Sequence, residues 1–317
     1  MYAHTSSISR VRVAVVDIGT NSTRLLIAEI GEGESIDELI RRSEVTRLGA
    51  GVDSDGSLSE QAMARVFAVL DEYRIAMDEH ECVRNMAVLT SAARDAANGR
   101  EFATRVCDDY GLDARVLSGD EEAQLTFLGA MSGRPPLSEP TVVIDIGGGS
   151  TEFVVGKEHT AGFHVSLPAG VVRMSERHIH SDPPDPRELQ AITADVREIF
   201  AQGLPREERA GVTRGIGVAG TATSAASIDQ ELEPYDPSRV HGYPLSLAVT
   251  ELLLARLADM NEARRRNVVG LHPDRAPTIV AGMILLAEAM RAFDLEELEV
   301  SERDILYGGA LTLAGAA

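Results

Sequence analysis

The chain has 317 residues, 44% of them hydrophobic, enough for two domains with their own cores. Fifty Asp and Glu against thirty Lys and Arg leave a formal net charge of −20, which excludes a general nucleic-acid or anionic-membrane binder, because either partner requires a basic footprint. No run approaches the roughly 18 apolar residues of a membrane span and the N terminus lacks a signal-peptide core, so the expected location is the cytoplasm.

Taken in order, residues 11 to 18 and 24 to 31 read as strands around a turn at Gly19 to Thr23, with a third extended segment near 38 to 48. Met63, Val66, Phe67, Leu70, Tyr73 and Met77 recur at helical spacing, and residues 83 to 89 form the next strand, which runs into TSAARDAANG with Arg94 just beyond its carboxyl end. A helix (98 to 110), a strand (113 to 117) and a helix from 119 follow. The proline-rich SGRPPLSEP, 132 to 140, marks the passage to a second unit. This repeats the plan: strand, glycine turn, strand at 152 to 157, an extended segment near 161 to 168, and a helix from Gly170. Beyond the SDPPDP loop come a helix to about 202, a strand at 213 to 219 opening into GTATSAAS, helices at 245 to 258 and 275 to 292, a strand near 297 to 301 and a last helix at 303 to 315. This alternation predicts an α/β fold. The stretch 275 to 292 reads as core, with a homodimer interface as the other reading. Cys82 and Cys107 lack CxxC or histidine spacing and read as buried structural residues.

The organising stretch is TVVIDIGGGSTE, 141 to 152. A buried strand ends in Gly147, Gly148 and Gly149, which lack Cβ and bring backbone N–H groups close to an anion, while Asp145 and Glu152 bracket the turn with carboxylates suited to a hard cation. Residues 13 to 30 repeat the pattern D-I-G-x-x-S-T. There Asp17 is placed to bind magnesium, Gly19, Thr20, Asn21 and Ser22 supply donors to phosphate, and Arg24 grips or neutralises it. One such motif is weak, since a strand-ending aspartate often only caps a turn. The repetition predicts two similarly built domains facing each other across a phosphate-sized cleft.

In SGDEEA, Ser118 and Glu121 fit a capping box, whereas Glu122, about 100° further round the helix, has no capping role and is placed to orient or deprotonate water. Gly220 and Thr221 open a small-residue turn into a helix, a further candidate for phosphate. Neither a G-x-G-x-x-G motif nor a Walker A lysine is present. Basic residues gather at Arg173, Arg177 and His178, at Arg239 and His241, and at Arg264 to Arg266 with Arg275. The first two groups are candidates to track an extended anion, and Arg264 to Arg266 read as solvated surface.

DIGTNSTRLLIAEI, TSAARDAANG, SGDEEAQLTFLGA, VIDIGGGSTEFVVG, PAGVVRMSE, GVAGTATSAAS, YDPSRVHG and HPDRAPTIVAGMILL, in this order, resemble the exopolyphosphatase and guanosine pentaphosphate phosphohydrolase (Ppx/GppA) family over residues 11 to 311. The resemblance implies two ribonuclease-H-like domains of the actin, sugar kinase and heat-shock chaperone superfamily with the active site in an interdomain cleft. The expected domains are 1–125, joined by the C-terminal helix 303–317, and 126–302. It also implies Mg²⁺-dependent hydrolysis of a terminal phosphoanhydride of inorganic polyphosphate. The family's phosphate loops fall on Asp17 to Ser22 and Asp145 to Ser150, its further acid on Glu152, its arginine on Arg94, and its catalytic glutamate on Glu121 or Glu122, of which the capping argument favours Glu122. Longer members continue into a helical C-terminal region that helps bind long polyphosphate, so the expected preference here is for short to medium chains. The alternatives are a pppGpp 5′-phosphohydrolase of the stringent response, a non-catalytic polyphosphate or alarmone sensor, and an ATP-binding kinase or chaperone of the same superfold.

Overall fold

Two hairpins of identical register found the two sheets of this protein, seen in a computed structural model that describes residues 10–31, 35–135 and 138–315. The chain divides into two units, Met1–Arg134 with Ile305–Ala317, and Pro135–Asp304. The division falls at 134/135 rather than 125/126, because the helix Gly119–Met131 is continuous and a boundary at 125 would cut its hydrogen-bonded middle.

In the first unit the elements are β1 (Val11–Ile18), β2 (Ser22–Ile30), β3 (Ile36–Val45), α1 (Val52–Asp55), α2 (Glu60–Glu79), β4 (Arg84–Leu89), α3 (Ser91–Asp95), α4 (Gly99–Tyr110), β5 (Asp113–Val116) and α5 (Gly119–Met131). In the second they are β6 (Thr141–Ile146), β7 (Thr151–Lys157), β8 (Thr160–Leu167), α6 (Val171–His178), α7 (Pro186–Gly203), α8 (Arg206–Arg209), β9 (Arg214–Val218), α9 (Ala219–Asp229), α10 (Pro237–Val240), β10 (Pro244–Ser246), α11 (Leu247–Ala258), α12 (Glu262–Arg265), α13 (Ile279–Ala292) and β11 (Glu297–Val300). The chain then returns to the first unit as α14 (Ile305–Ala314).

The sheets run β3-β2-β1-β4-β5 and β10-β11-β9-β6-β7-β8. In each, the first three strands of the unit form an antiparallel meander, and a parallel strand, β4 or β9, joins the inner edge of the first. Central strands buried on both faces require apolar residues at every position, which is why β1 reads Val-Ala-Val-Val without polar alternation. One face of the first sheet packs on α2 and α4 around Val66, Leu70, Tyr73 and Phe102, and the other on α14 around Leu306 and Ala310. In the second unit α13 is the central helix: twelve consecutive residues, Ile279 to Met290, are buried, so the apolar stretch is core.

Three sequence expectations need correction. Cys107 is exposed and Cys82 only half-buried; on α4, Cys107 lies at the margin of the buried face, about 100° round the helix from Val106. Arg265 is 3% exposed rather than solvated: its guanidinium donates to the carbonyls of Ala276 (3.1 Å) and Met260 (2.7 Å) and to Asp182 Oδ1 (3.3 Å), tying three loops together. Finally, residues 244–246 form a short strand ahead of α11, which starts at Leu247 rather than 245. Among the described residues no helix is long and apolar enough to cross a membrane.

Candidate active site

Each hairpin turn closes with one bond. Gly19 N–H donates to Ser22 O at 3.0 Å, and Gly147 N–H donates to Ser150 O at 2.9 Å. The carbonyls of the turns are then taken up from behind. Thr20 O accepts from Gly49 N–H (2.9 Å), and Asn21 O accepts from Thr46 and Arg47 N–H (3.1 and 2.9 Å). In the second unit Gly147 O accepts from Val171 N–H, Gly148 O from Val172 and Arg173 N–H, and Gly149 O from Arg173 Nε at 2.9 Å. The amides of Thr20, Asn21, Gly148 and Gly149 donate to no backbone carbonyl among the described residues. With carbonyls drawn to one side, both turns present N–H groups on the other, the arrangement that binds an anion.

Glycines elsewhere allow these close approaches. A Cβ on Gly170 would overlap the backbone of Gly148, so only glycine lets the start of α6 press against the second loop, and a Cβ on Gly49 would overlap the Thr20 side chain. Gly170 and Gly49 were not singled out from sequence, because nothing local to them reveals which backbone comes near.

The residues after the turns differ in charge at matching positions. On β1 and β2 Asp17 faces Arg24, whose Nε and terminal nitrogen donate to Asp17 Oδ2 at 2.9 and 2.6 Å. On β6 and β7 Asp145 faces Glu152, and on β8 Ser166 faces Glu152 in turn, its hydroxyl donating to Glu152 Oε1 at 2.7 Å. Cross-strand partners share a face, so Asp145, Glu152 and Ser166 form one row of oxygen donors. Like charges directly opposite destabilise a sheet, and a divalent hard cation offsets that repulsion: the donor chemistry of the Asp145–Glu152 pair fits magnesium. The described residues contain no group of three or more metal-binding side chains, and Asp17 belongs to the other unit, with its carboxylate matched by Arg24.

On α5 the two neighbouring glutamates have separate surroundings. Glu121 closes the capping box: its carboxylate accepts from Ser118 N–H and Oγ, both at 2.8 Å, while Ser118 Oγ accepts from Glu121 N–H at 3.3 Å. These bonds, the Ser118 amide first, hold the Glu121 carboxyl below the ordinary carboxylate range. Glu122 points elsewhere and accepts from Arg94 at 2.6 Å; the same Arg94 nitrogen also reaches Leu117 O at 3.2 Å. The structure thus joins Arg94 to Glu122 across 28 residues of sequence, with side chains 26% and 15% exposed.

Other candidates have contacts of their own. The Arg275 guanidinium lies over Gly220, where a Cβ would collide with it, and Thr221 is buried with its methyl toward Gly282. Arg177 and His178 both meet Asp195, at 2.9 and 2.8 Å, and His241 Nδ1 accepts from Glu302 N–H at 3.3 Å. Ser166 was missed entirely: a serine on an exposed strand carries no sequence signal until its register opposite Glu152 is known.

The model of the Ppx/GppA phosphatase family matches residues 26–308. The chain belongs to this family. It is similar to exopolyphosphatase 2 of Mycobacterium tuberculosis, 38% identical over 316 residues, a match covering 96% of this chain and 99% of the relative. Among solved structures, the family member from Aquifex aeolicus superposes with a TM-score of 0.83 at 30% identity, covering 96% of this chain and 97% of that one. An exopolyphosphatase from Cytophaga hutchinsonii superposes with a TM-score of 0.85 at 27% identity, covering 96% and 99%. With these structures as neighbours, the two-domain α/β architecture is the actin-like fold of the family.

Proposed function

We propose that this protein is an Mg²⁺-dependent exopolyphosphatase that releases orthophosphate from the ends of inorganic polyphosphate, favouring short to medium chains. The observation that carries this reading is the pair of turns at 19–22 and 147–150, in which the carbonyls of Thr20, Asn21, Gly147, Gly148 and Gly149 are engaged from behind while the amides of Thr20, Asn21, Gly148 and Gly149 donate to no backbone carbonyl among the described residues. Two such turns in one chain suit a substrate with successive phosphates and no other feature to recognise. Their relatives named as exopolyphosphatases support the choice of polyphosphate among phosphoanhydrides.

The chemistry rests on positioning and electrostatics. The amides of Thr20, Asn21, Gly148 and Gly149 bind phosphate oxygens, and Ser22 and Ser150 add hydroxyls. Asp145 and Glu152 hold Mg²⁺, with Ser166 fixing the orientation of Glu152. When bound, Mg²⁺ neutralises charge that develops on the transferred phosphoryl group. Glu122, held by Arg94, orients the attacking water and takes up its proton, and Glu121 serves the helix cap. Arg24 and Arg94 counter the repulsion that a protein of net charge −20 imposes on a polyanion.

The test is phosphate release with Mg²⁺ from short-chain polyphosphate, long-chain polyphosphate and pppGpp in parallel, with ATP as control. Faster release from short polyphosphate than from the other three is expected. Preferential release from pppGpp assigns the alarmone instead, and tight binding without release makes the protein a sensor.

A further inference from the structure

Thr20, in the first turn, is fixed at its backbone and at both branches of its side chain. Its carbonyl accepts from Gly49 N–H at 2.9 Å. Its methyl fits against Gly49, where a Cβ would overlap Thr20 Cγ2. Its hydroxyl oxygen lies 2.8 Å from that of Ser91, 71 residues away in sequence. With the methyl pinned, χ1 of this β-branched residue is set, and the hydroxyl is held at Ser91.

Two hydroxyls bonded to each other use only one of their hydrogens. Whichever oxygen donates, the other O–H is left over, and among the described residues neither hydroxyl has a second partner. Both residues are half-buried. The leftover donor sits on a turn whose Thr20 and Asn21 amides donate to no backbone carbonyl among the described residues, and such a set of donors suits an oxyanion. Thr20 carries its amide and its hydroxyl on the turn itself. The order that serves the turn is therefore Ser91 O–H donating to Thr20 Oγ1 and Thr20 O–H donating to the anion, and each link of such a chain strengthens the other.

Ser91 is also the first residue of α3, with Arg94 three residues on. Residues at this spacing share a helix face, so one turn of α3 presents Ser91 to Thr20 and Arg94 to Glu122, which Arg94 meets at 2.6 Å. Arg94 N–H closes that turn on Thr90 O at 3.0 Å. Thr20, Ser91, Arg94 and Glu122 all belong to the first unit.

Resting on the reading of residues 19–22 as a phosphate loop, we propose that Ser91 is a positioning residue for the substrate: it donates to Thr20 Oγ1 and so turns the Thr20 hydroxyl to donate to the phosphate held by that loop. The contact forms one turn of α3 from the Arg94–Glu122 pair, which ties the bound phosphate to the base.

The experiment is a double-mutant cycle of Ser91→Ala and Thr20→Val, with inorganic phosphate binding measured by titration calorimetry, melting temperatures, and steady-state kinetics on short-chain polyphosphate. Thr20→Val keeps the methyl against Gly49 and removes the hydroxyl. It is expected to weaken phosphate binding about 10- to 50-fold and Ser91→Ala about 5- to 10-fold, with melting temperatures close to that of the wild type. The double variant should bind no more weakly than Thr20→Val, because Ser91 acts only through that hydroxyl. In Ser91→Ala the loss should appear in KM with kcat retained, which marks lost binding rather than a displaced base. Equal phosphate affinity in the wild type and Ser91→Ala, or losses that add in the double variant, overturns the proposal. Weaker phosphate binding by Ser91→Ala in a protein that does not hydrolyse polyphosphate supports the role of Ser91 and removes the exopolyphosphatase reading; polyphosphate hydrolysis with phosphate affinity unchanged in Ser91→Ala does the reverse.

Discussion

Asp145 on β6 and Glu152 on β7 stand directly opposite each other in the antiparallel ladder, at the register that sets Asp17 opposite Arg24 in the first unit. One hairpin is thus charge-matched by a covalent residue and the other suits a cation. Glu152→Gln is expected to act in two directions. In metal-free buffer it removes a like-charge pair and raises the melting temperature by about 1–3 °C. The stabilisation added by MgCl₂ in the wild type should disappear in the variant. Thermal melts with and without Mg²⁺ decide this; an unchanged Mg²⁺ response in Glu152→Gln and in Asp145→Asn moves the metal elsewhere.

Glu121 and Glu122 should separate stability from turnover. Glu122→Gln keeps the shape and the Arg94 contact but removes the base, so kcat is expected to fall roughly 10²–10⁴-fold with substrate binding retained. Glu121→Ala removes the acceptor of the capping box and is expected to lower the melting temperature by about 2–4 °C with a much smaller effect on kcat. Steady-state kinetics and melts of both variants are the check. The opposite pattern exchanges the two roles.

Ser166 positions Glu152 through a single 2.7 Å bond. Ser166→Ala should raise the Mg²⁺ concentration for half-maximal stabilisation by about 10-fold, and Ser166→Thr, which keeps the hydroxyl, should restore it. Titration calorimetry of the protein with Mg²⁺ alone measures this without reference to turnover.

At Gly170 a side chain displaces the second loop. Gly170→Ala is expected to weaken phosphate binding more than about 10-fold, because the Cβ pushes the Gly148 backbone away from the helix that organises it. Inorganic phosphate binding, measured alongside the melting temperature, separates a displaced loop from a failed fold.

Acid sensitivity has a specific source in the second unit. The Glu188 carboxyl is held down from 4.5 to about 2, first by the Ser181 hydroxyl and then by the Asp185 amide, with those of His180 and Ser181 adding to it. A depressed native pKa contributes stability that is complete above the unfolded value near 4.5 and is lost as pH falls towards 2. Glu188→Gln should therefore be less stable than the wild type at neutral pH, and the gap should close across that acidic window. Urea midpoints as a function of pH test it; a gap that stays constant with pH assigns the loss to something other than the carboxylate.

Much of this was legible in the chain itself. Unbroken apolar runs such as VAVV and TVVI announced strands buried on both faces, the repeated D-I-G-x-x-S-T announced two hairpins of one design, and Ser118 with Glu121 announced a capping box, because each depends on residues within a few positions of one another. What escaped depends on distance in sequence. Arg265 looks like surface until three loops supply its acceptors, α5 is cut at 125 until its hydrogen bonds run through to Met131, and the Arg94 to Glu122 bond links elements that neither local stretch specifies.

The sequence by itself determined the periodicities, the turn chemistry and the charges that each hairpin carries, since these act through neighbouring bonds and local sterics. Only the tertiary structure decided which carbonyls of the two turns are bound from behind, and hence which way their amides face. Backbone groups are alike in every residue, and the partner each one finds is fixed by how distant segments pack.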